Sequence, residues 1–247
     1  MSEAHEQQGI LYVVATPIGN LADLTYRARQ VLAEVDLIAA EDTRHTRRLL
    51  AHYGISTRLV SCHDHNEAQV VPRLLRRLAE GESLALVSDA GTPLISDPGF
   101  QLVQGARGLG IRVVPVPGAN AAVCALSAAG LPCDRFLFVG FPPRTTAKRR
   151  EWATGLAGEC ATLVMYEAGN RVLATLAALR DQLGAERRAA VARELTKRFE
   201  TFLSGSLGDL AARVEADARQ QMGEFVILVE GRGEPDPGVA RGDEEHI

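Results

Sequence analysis

The sequence predicts an α/β protein of two lobes, the first built on a mostly parallel sheet and the second on a mixed one. Three observations carry this. Short apolar, β-branched runs alternate with helical patterns through the first half of the chain. Three of those runs stop in small-residue turns: Val13-Val14-Ala15 before Thr16-Pro17-Ile18-Gly19-Asn20, Leu86-Val87 before Ser88-Asp89-Ala90-Gly91-Thr92-Pro93, and Val114-Pro115-Val116 before Pro117-Gly118-Ala119-Asn120. Late in the chain two strand-like runs follow one another with no helix between them, a connection that parallel strands do not permit.

Taken in order, apolar runs bounded by turn residues predict strands over 10–15, 37–40, 58–61, 84–87 and 112–116. Between them apolar residues recur three or four apart, giving helices over 26–35, 44–52, 67–79 and 100–107. After Pro117-Gly118 come a helix over 121–129, a strand over 136–139, a helix over 148–156, a strand over 162–166 and a helix over 172–183. Strands over 189–193 and 198–203, a helix over 207–219 and a strand over 224–229 close the second lobe. The lobes are expected at 9–117 and 118–230; residues 231–247, rich in Gly, Pro and acid, read as a disordered tail.

At 247 residues and 46% hydrophobic, the chain can bury a sizeable core, and it has no apolar run long enough to span a bilayer. Its first eight residues are polar and acidic, without the basic and apolar regions of a signal peptide, so a cytoplasmic protein with no membrane partner is expected. Cys62, Cys124, Cys133 and Cys160 have no CxxC spacing, and neither a zinc site nor another metal is expected.

A net charge of −4 argues against a free nucleic-acid binder with a strongly basic surface. Local clusters survive that balance: Arg44, Arg47 and Arg48; Arg73, Arg76 and Arg77; Arg144, Lys148, Arg149 and Arg150; Arg193, Lys197 and Arg198. The cluster at Arg73 reads as the solvated face of an amphipathic helix. The cluster at Arg144 follows Pro142-Pro143 and an apolar strand, where a loop can present several charges to one polyanion.

Neither GxxxxGK[ST] nor a GxGxxG after the first strand is present, which disfavours ATP and NAD. The strand-end loops offer close backbone approach instead. Gly19, Gly91 and Gly118 expose main-chain groups, Pro17, Pro93 and Pro117 stiffen the turns, and Thr92 and Asn120 add side-chain hydrogen bonds. Acid–base groups sit at other strand ends, in Glu41-Asp42-Thr43-Arg44-His45 and Cys62-His63-Asp64-His65-Asn66-Glu67, and make Asp42, His63 and His65 the catalytic candidates. Two readings fit these segments. His63-Asp64-His65 is either a source of a base or a polar turn before a helix N-capped by Asn66, and Glu41 and Asp42 are either catalytic or anchors for Arg44 or Arg47.

These segments, with Phe138-Val139-Gly140-Phe141-Pro142-Pro143-Arg144, Tyr166-Glu167-Ala168, Ala192-Arg193-Glu194-Leu195-Thr196-Lys197 and Gly223-Glu224-Phe225, resemble the tetrapyrrole methylase superfamily. Within it the chain is similar to the ribosomal RNA small-subunit methyltransferase I family, from about Gly9 to Gly231. The resemblance implies a tetrapyrrole-methylase-like fold with S-adenosyl-L-methionine in the inter-lobe cleft, a homodimer, and a metal-free reaction. It also implies 2′-O-methylation of a cytidine in small-subunit (16S) ribosomal RNA at the decoding centre. Matching the family's contacts residue by residue assigns cofactor binding to Pro17, Gly91, Thr92, Pro93, Ile95, Asn120, Ala121, Glu167 and Leu195. Thr92 stands where tetrapyrrole-modifying relatives place an aspartate, which implies a weaker contact there. No RNA contribution is expected from the C-terminal extension that some members carry. With small-subunit RNA as partner, Arg44, Arg144, Lys148, Arg149 and Arg150 are the expected phosphate contacts. Methylation of a tetrapyrrole precursor and a noncatalytic RNA-binding assembly role are the alternatives.

Overall fold

A computed structural model describes residues 9–233, so the polar leader at 1–8 and residues 234–247 of the expected tail lie outside the described residues. The described residues fall into two compact units, one within Met1–Cys124 and Leu195–Arg198, the other within Ala125–Glu194 and Phe199–Ile247.

The first unit runs β1 (Ile10–Val14), α1 (Tyr26–Glu34), β2 (Leu37–Ala40), α2 (Thr43–His52), β3 (Leu59–Ser61), α3 (Glu67–Ala79), β4 (Leu84–Val87), α4 (Phe100–Gly108) and β5 (Arg112–Val116), and α5 (Ala121–Ala128) follows. Its five strands are all parallel, in the order β3-β2-β4-β1-β5. Both faces of such a sheet are covered, which is why β2 and β4 contain no polar residue. Alternation assigns the faces. Leu37, Ala39, Leu84 and Leu86 pack with Leu74 and Leu78 of α3 and Leu102 and Ala106 of α4. Ile38, Ala40, Ala85 and Val87 pack with Ala28 and Leu32 of α1 and Leu49 and Leu50 of α2. Truncating one of these buried leucines to alanine would cost about 2–5 kcal/mol. Thr25 caps α1 by accepting from the Ala28 N–H, and Asp42 caps α2 by accepting from the Arg44 N–H.

The second unit contains β6 (Phe136–Phe138), α6 (Thr146–Leu156), β7 (Thr162–Ala168), α7 (Val172–Leu183), β8 (Arg188–Arg193), β9 (Thr201–Ser206), α8 (Leu207–Ala216) and β10 (Glu224–Val229). Its sheet is mixed, in the order β6-β7-β10-β8-β9, with only β6 and β7 parallel. Leu163 and Met165 of β7, Val191 of β8 and Phe225 and Ile227 of β10 pack against Leu176 and Leu179 of α7 and Leu210 and Val214 of α8.

The larger differences from the expected boundaries are these. β9 starts at Thr201 rather than 198, because Glu194 and Thr196 have positive φ (51° and 65°) and turn the chain out of the sheet until Thr201 pairs with Arg193. α8 stops at Ala216, where Asp217 turns extended and caps the next 3-10 turn by accepting from the Arg219 N–H. The division between units falls after Cys124 rather than at Pro117. The loop after β5 is tied to its neighbours in the first unit and carries the start of α5 with it. The tail is anchored further than expected: the Arg232 N–H donates to the Glu159 carbonyl at 2.6 Å, and Gly231 is buried against the Cys160 carbonyl.

Candidate active site

Because β4, β1 and β5 are neighbours and parallel, the loops that follow them leave the same edge of the sheet side by side. That edge is where open α/β sheets take ligands. Hydrogen bonds join the three loops. Thr16 and Gly91 exchange backbone bonds of 2.8 and 3.0 Å, the Thr16 hydroxyl donates to the Ser88 carbonyl at 3.3 Å, and the Thr92 hydroxyl donates to the Ala119 carbonyl at 3.1 Å. Thr92 is therefore a loop-to-loop staple. Gly91 sits at φ +84°, a conformation that side chains other than glycine rarely adopt. Asn120 accepts from the Val123 N–H and caps α5, placing Ala121 at the helix start. Pro17 and Pro93 are buried, while Ile95 stays exposed at 39%.

The segment Leu195–Arg198 belongs to this unit as well. It lies so close to the β1 loop that a Cβ on Gly19 would stand 2.4 Å from Lys197 Cγ and 3.2 Å from the Leu195 carbonyl oxygen. Among the described residues, the non-glycine residues with positive φ are Leu94 (74°), Ser96 (69°), Glu194 (51°) and Thr196 (65°). They bracket Ile95 and Leu195, two of the residues assigned to the cofactor. Strained backbone of this kind gathers at ligand clamps, and nothing in the side-chain sequence announces it.

Glu167 is also among the residues assigned to the cofactor. It lies on β7 in the second unit, its side chain fully buried, and its carboxylate is spent within that unit. One oxygen accepts from Arg171 Nε at 2.7 Å and from the Ala168 N–H at 2.8 Å; the other accepts from the Thr175 hydroxyl at 2.6 Å. A carboxylate so satisfied fixes β7 to α7.

The remaining strands supply the titratable groups. Ala40 of β2 is in register with both Ser61 of β3 and Val87 of β4, so Glu41-Asp42, Cys62-His63-Asp64 and Ser88-Asp89 leave the sheet at one level. The Asp89 N–H donates to Glu41 Oε2 at 3.2 Å, and the Asp42 N–H donates to Asp89 Oδ1 at 3.0 Å. Asp97, further along the β4 loop, is pushed up to about 6, chiefly by burial and further by the carboxylates of Glu41, Asp89 and Asp64, against the opposing hydrogen bond from Ser88. Burial also raises Glu41, opposed by the Asp89 N–H and reinforced by neighbouring carboxylates. The sequence reading did not find this coupled group, because Asp97 reaches it only through the path of the loop.

Asp42 is placed differently from the expectation of a base. It caps α2 and forms a two-pronged ion pair with Arg44, at 3.1 Å to Nε and 2.7 Å to Nη2, which holds its carboxyl far below the usual carboxylate range. A carboxylate stabilised this way is a poor proton acceptor. His63 is half-buried, and its Nδ1 is buried with no hydrogen-bond partner among the described residues. Its N–H donates to Asn66 Oδ1 at 2.8 Å, so the Asn66 side chain closes the turn instead of capping α3. His65 is exposed, with its ring centroid 5.9 Å from that of His63.

Of the basic loop, Arg144, Lys148 and Arg150 are exposed, but Arg149 is buried to 4% and its Nη2 donates to the Arg144 carbonyl at 3.0 Å. Arg149 is thus placed as a loop anchor, with its Nε buried and without a hydrogen-bond partner among the described residues. The spacing Arg149, Trp152, Ala153, Leu156 was the available signal, since it is the buried stripe of α6. Arg44 is exposed but committed to Asp42. Phe138 and Phe141 pack edge-on against Tyr166, with ring centroids 4.8 and 5.6 Å away, next to this loop in the chain.

A parallel sheet whose carboxyl edge carries backbone-rich loops beside a row of acids and histidine is the architecture of a small-molecule-using α/β enzyme. A family model described as tetrapyrrole (corrin/porphyrin) methylases matches residues 10–211. A protein from Pseudomonas aeruginosa named ribosomal RNA small subunit methyltransferase I is 57% identical over 92% of this chain and 81% of its own length. Among solved structures, uroporphyrin-III-C-methyltransferase from Thermus thermophilus aligns with a TM-score of 0.63 and 25% identity over 90% of this chain and 94% of that one. A further structure of uroporphyrin-III C-methyl transferase from that organism, complexed with S-adenyl homocysteine, has the same fold, with a TM-score of 0.59 and 20% identity over 92% of this chain and 98% of that one. The chain belongs to the tetrapyrrole methylase family and, within it, to the methyltransferase group named ribosomal RNA small subunit methyltransferase I.

Proposed function

We propose that this chain transfers a methyl group from S-adenosyl-L-methionine to the ribose 2′-hydroxyl of a cytidine in small-subunit (16S) ribosomal RNA at the decoding centre. The carrying observation is the division of one sheet edge: glycine-proline loops follow β4, β1 and β5, and acids and histidine follow β3, β2 and β4. The β4 loop belongs to both halves, so a group held at Gly91 and Ile95 is continuous with the row containing Asp89 and Asp97.

The first-unit residues fit the cofactor. Gly91 holds a left-handed turn beside Ile18 and the Ala119 carbonyl, and the strained flanks of Ile95 and Leu195 mark two ends of the same loop set. Gly91, Pro93, Ile95 and Ala121 would hold S-adenosyl-L-methionine, with Pro17, Thr92, Asn120 and Leu195 fixing the loops that carry them. Bound there, it supplies a sulfonium methyl that is already electrophilic, so the reaction calls for no metal. The protein's part is to align the 2′-hydroxyl and take up its proton. His63 is the candidate for that proton, His65 the second, and Arg144, Lys148 and Arg150 serve RNA phosphates. A cytoplasmic homodimer acting on the small ribosomal subunit completes the reading; the relative's name supports its ribosomal RNA substrate.

Label transfer from methyl-labelled cofactor tests it, with isolated small subunits, naked 16S RNA and a uroporphyrin-type tetrapyrrole as acceptors. Label in a cytidine that resists alkaline cleavage at its 3′ linkage supports the proposal. Label in the tetrapyrrole alone assigns precursor methylation instead, and RNA binding without transfer assigns an assembly role.

A further inference from the structure

A second feature of the first unit lies away from the strand-end loops. Between Thr43 and Cys62 the chain contains four arginines and two histidines and no Asp or Glu. Arg47 and Arg48 lie one helical turn after Arg44 on α2, and all three are exposed. Five arginines elsewhere are matched with acids: Arg77 with Glu82, Arg171 with Glu167, Arg180 with Asp181, Arg188 with Glu230 and Arg219 with Asp217. Arg47, Arg48 and Arg58 have no ion pair among the described residues, as is true of Arg73, Arg76 and Arg107; what sets this segment apart is that it holds no acid of its own. On a protein of net charge −4, this is a local excess of unpaired cation.

The row of α2 leads into a surface depression of about 340 Å³ between the end of α2 and β3. It is lined by the exposed Arg47, Ser56 and Arg58, the half-buried Ile55 and Leu59, and the buried Leu50. Two uncompensated guanidiniums beside apolar surface suit a ligand that alternates anionic and flat apolar parts. Single-stranded RNA has that character, with phosphates for the arginines and an unstacked base for the apolar surface.

We infer that the depression bounded by Arg47 and Arg58 is a secondary RNA-docking site, which seats a single-stranded nucleotide of the substrate away from the methylated one. The inference rests on the proposed ribosomal RNA substrate and adds where that RNA is gripped. Such a site contributes to RNA binding and not to the chemical step.

The test compares wild type with Arg47→Gln/Arg58→Gln and, as charge-retaining control, Arg47→Lys/Arg58→Lys. Binding of a 16S RNA transcript and of isolated small subunits is measured across a salt series, alongside cofactor affinity and single-turnover methyl transfer at saturating subunits. For the glutamine variant RNA affinity should fall about tenfold and the salt slope by roughly 1.4, at about 0.7 per single-strand phosphate contact. Cofactor affinity and the saturated transfer rate should not move, and the lysine variant should recover most of the slope. Unchanged RNA affinity and slope overturn the inference. So does a loss confined to intact subunits with naked RNA unaffected, which would assign the patch to an acidic protein surface. Wild-type transfer to small subunits is scored separately, so a failure of the substrate reading is not mistaken for a failure of the site.

Discussion

Thr16 and Gly91 exchange backbone hydrogen bonds of 2.8 and 3.0 Å, so the loop after β1 and the loop after β4 cannot move independently. The left-handed φ of Gly91 permits that exchange. Replacing Gly91 with valine puts a β-branched side chain at φ +84°, with its Cβ 3.4 Å from Ile18 Cγ2. The expected result is a stability loss of about 1–2 kcal/mol, small against a domain's total of about 5–15, and a fall in cofactor affinity of at least tenfold by calorimetry. Wild-type affinity in a folded variant would remove the β4 loop from the cofactor site.

Arg149 and its neighbours should separate by assay. Arg144→Gln/Lys148→Gln/Arg150→Gln should lower the salt slope of RNA binding by about 2 and leave cofactor affinity and thermal stability intact. Arg149→Ala should do the reverse, costing about 1–3 kcal/mol in urea unfolding through the lost bond to the Arg144 carbonyl and lost packing, with the salt slope of the refolded protein unchanged.

The base is tested by pH profiles of single-turnover transfer for Asp42→Asn, His63→Gln and His65→Gln. Asp42→Asn should keep the wild-type profile, because Arg44 holds that carboxyl ionised throughout the working range. His63→Gln should flatten the rise in rate with pH while both affinities stay near normal. If all three retain the wild-type profile, the proton leaves by another route.

Asp97 carries a stability prediction of definite sign. Burial raises its folded value to about 6, above the value of about 4 in an unfolded chain. Between those values the folded protein holds a proton that the unfolded chain has released, so this contribution to stability is present at low pH and is lost as pH rises through 6. Asp97→Asn mimics the protonated form. Its urea midpoint should exceed wild type at pH 7.5, and the two should converge near pH 4; a constant offset across that range would contradict the assignment.

The sequence by itself determined the elements and their class. Short uninterrupted apolar runs such as Leu84-Ala85-Leu86-Val87, closed by the Thr16-Pro17, Gly91-Thr92-Pro93 and Pro117-Gly118 turns, read as strands covered on both faces, so a parallel sheet with loops at one edge was legible from local chemistry. Tertiary structure decided what those residues meet. Strand order set β4 between β2 and β1, which joins the acidic and the glycine-rich halves of the edge through one loop. Burial turned Arg149 inward and left Arg144 out, a distinction that charge alone does not make. Pairing made Asp42 a cap and Glu167 an internal anchor, while burial, reinforced by carboxylates distant in sequence, raised Asp97. The positive φ of Leu94, Ser96, Glu194 and Thr196 is likewise imposed by surrounding structure, since no such residue prefers that conformation on its own. Periodicity and turn chemistry are short-range and can be read along the chain; electrostatic coupling, burial and strain depend on neighbours that only the folded sheet brings together.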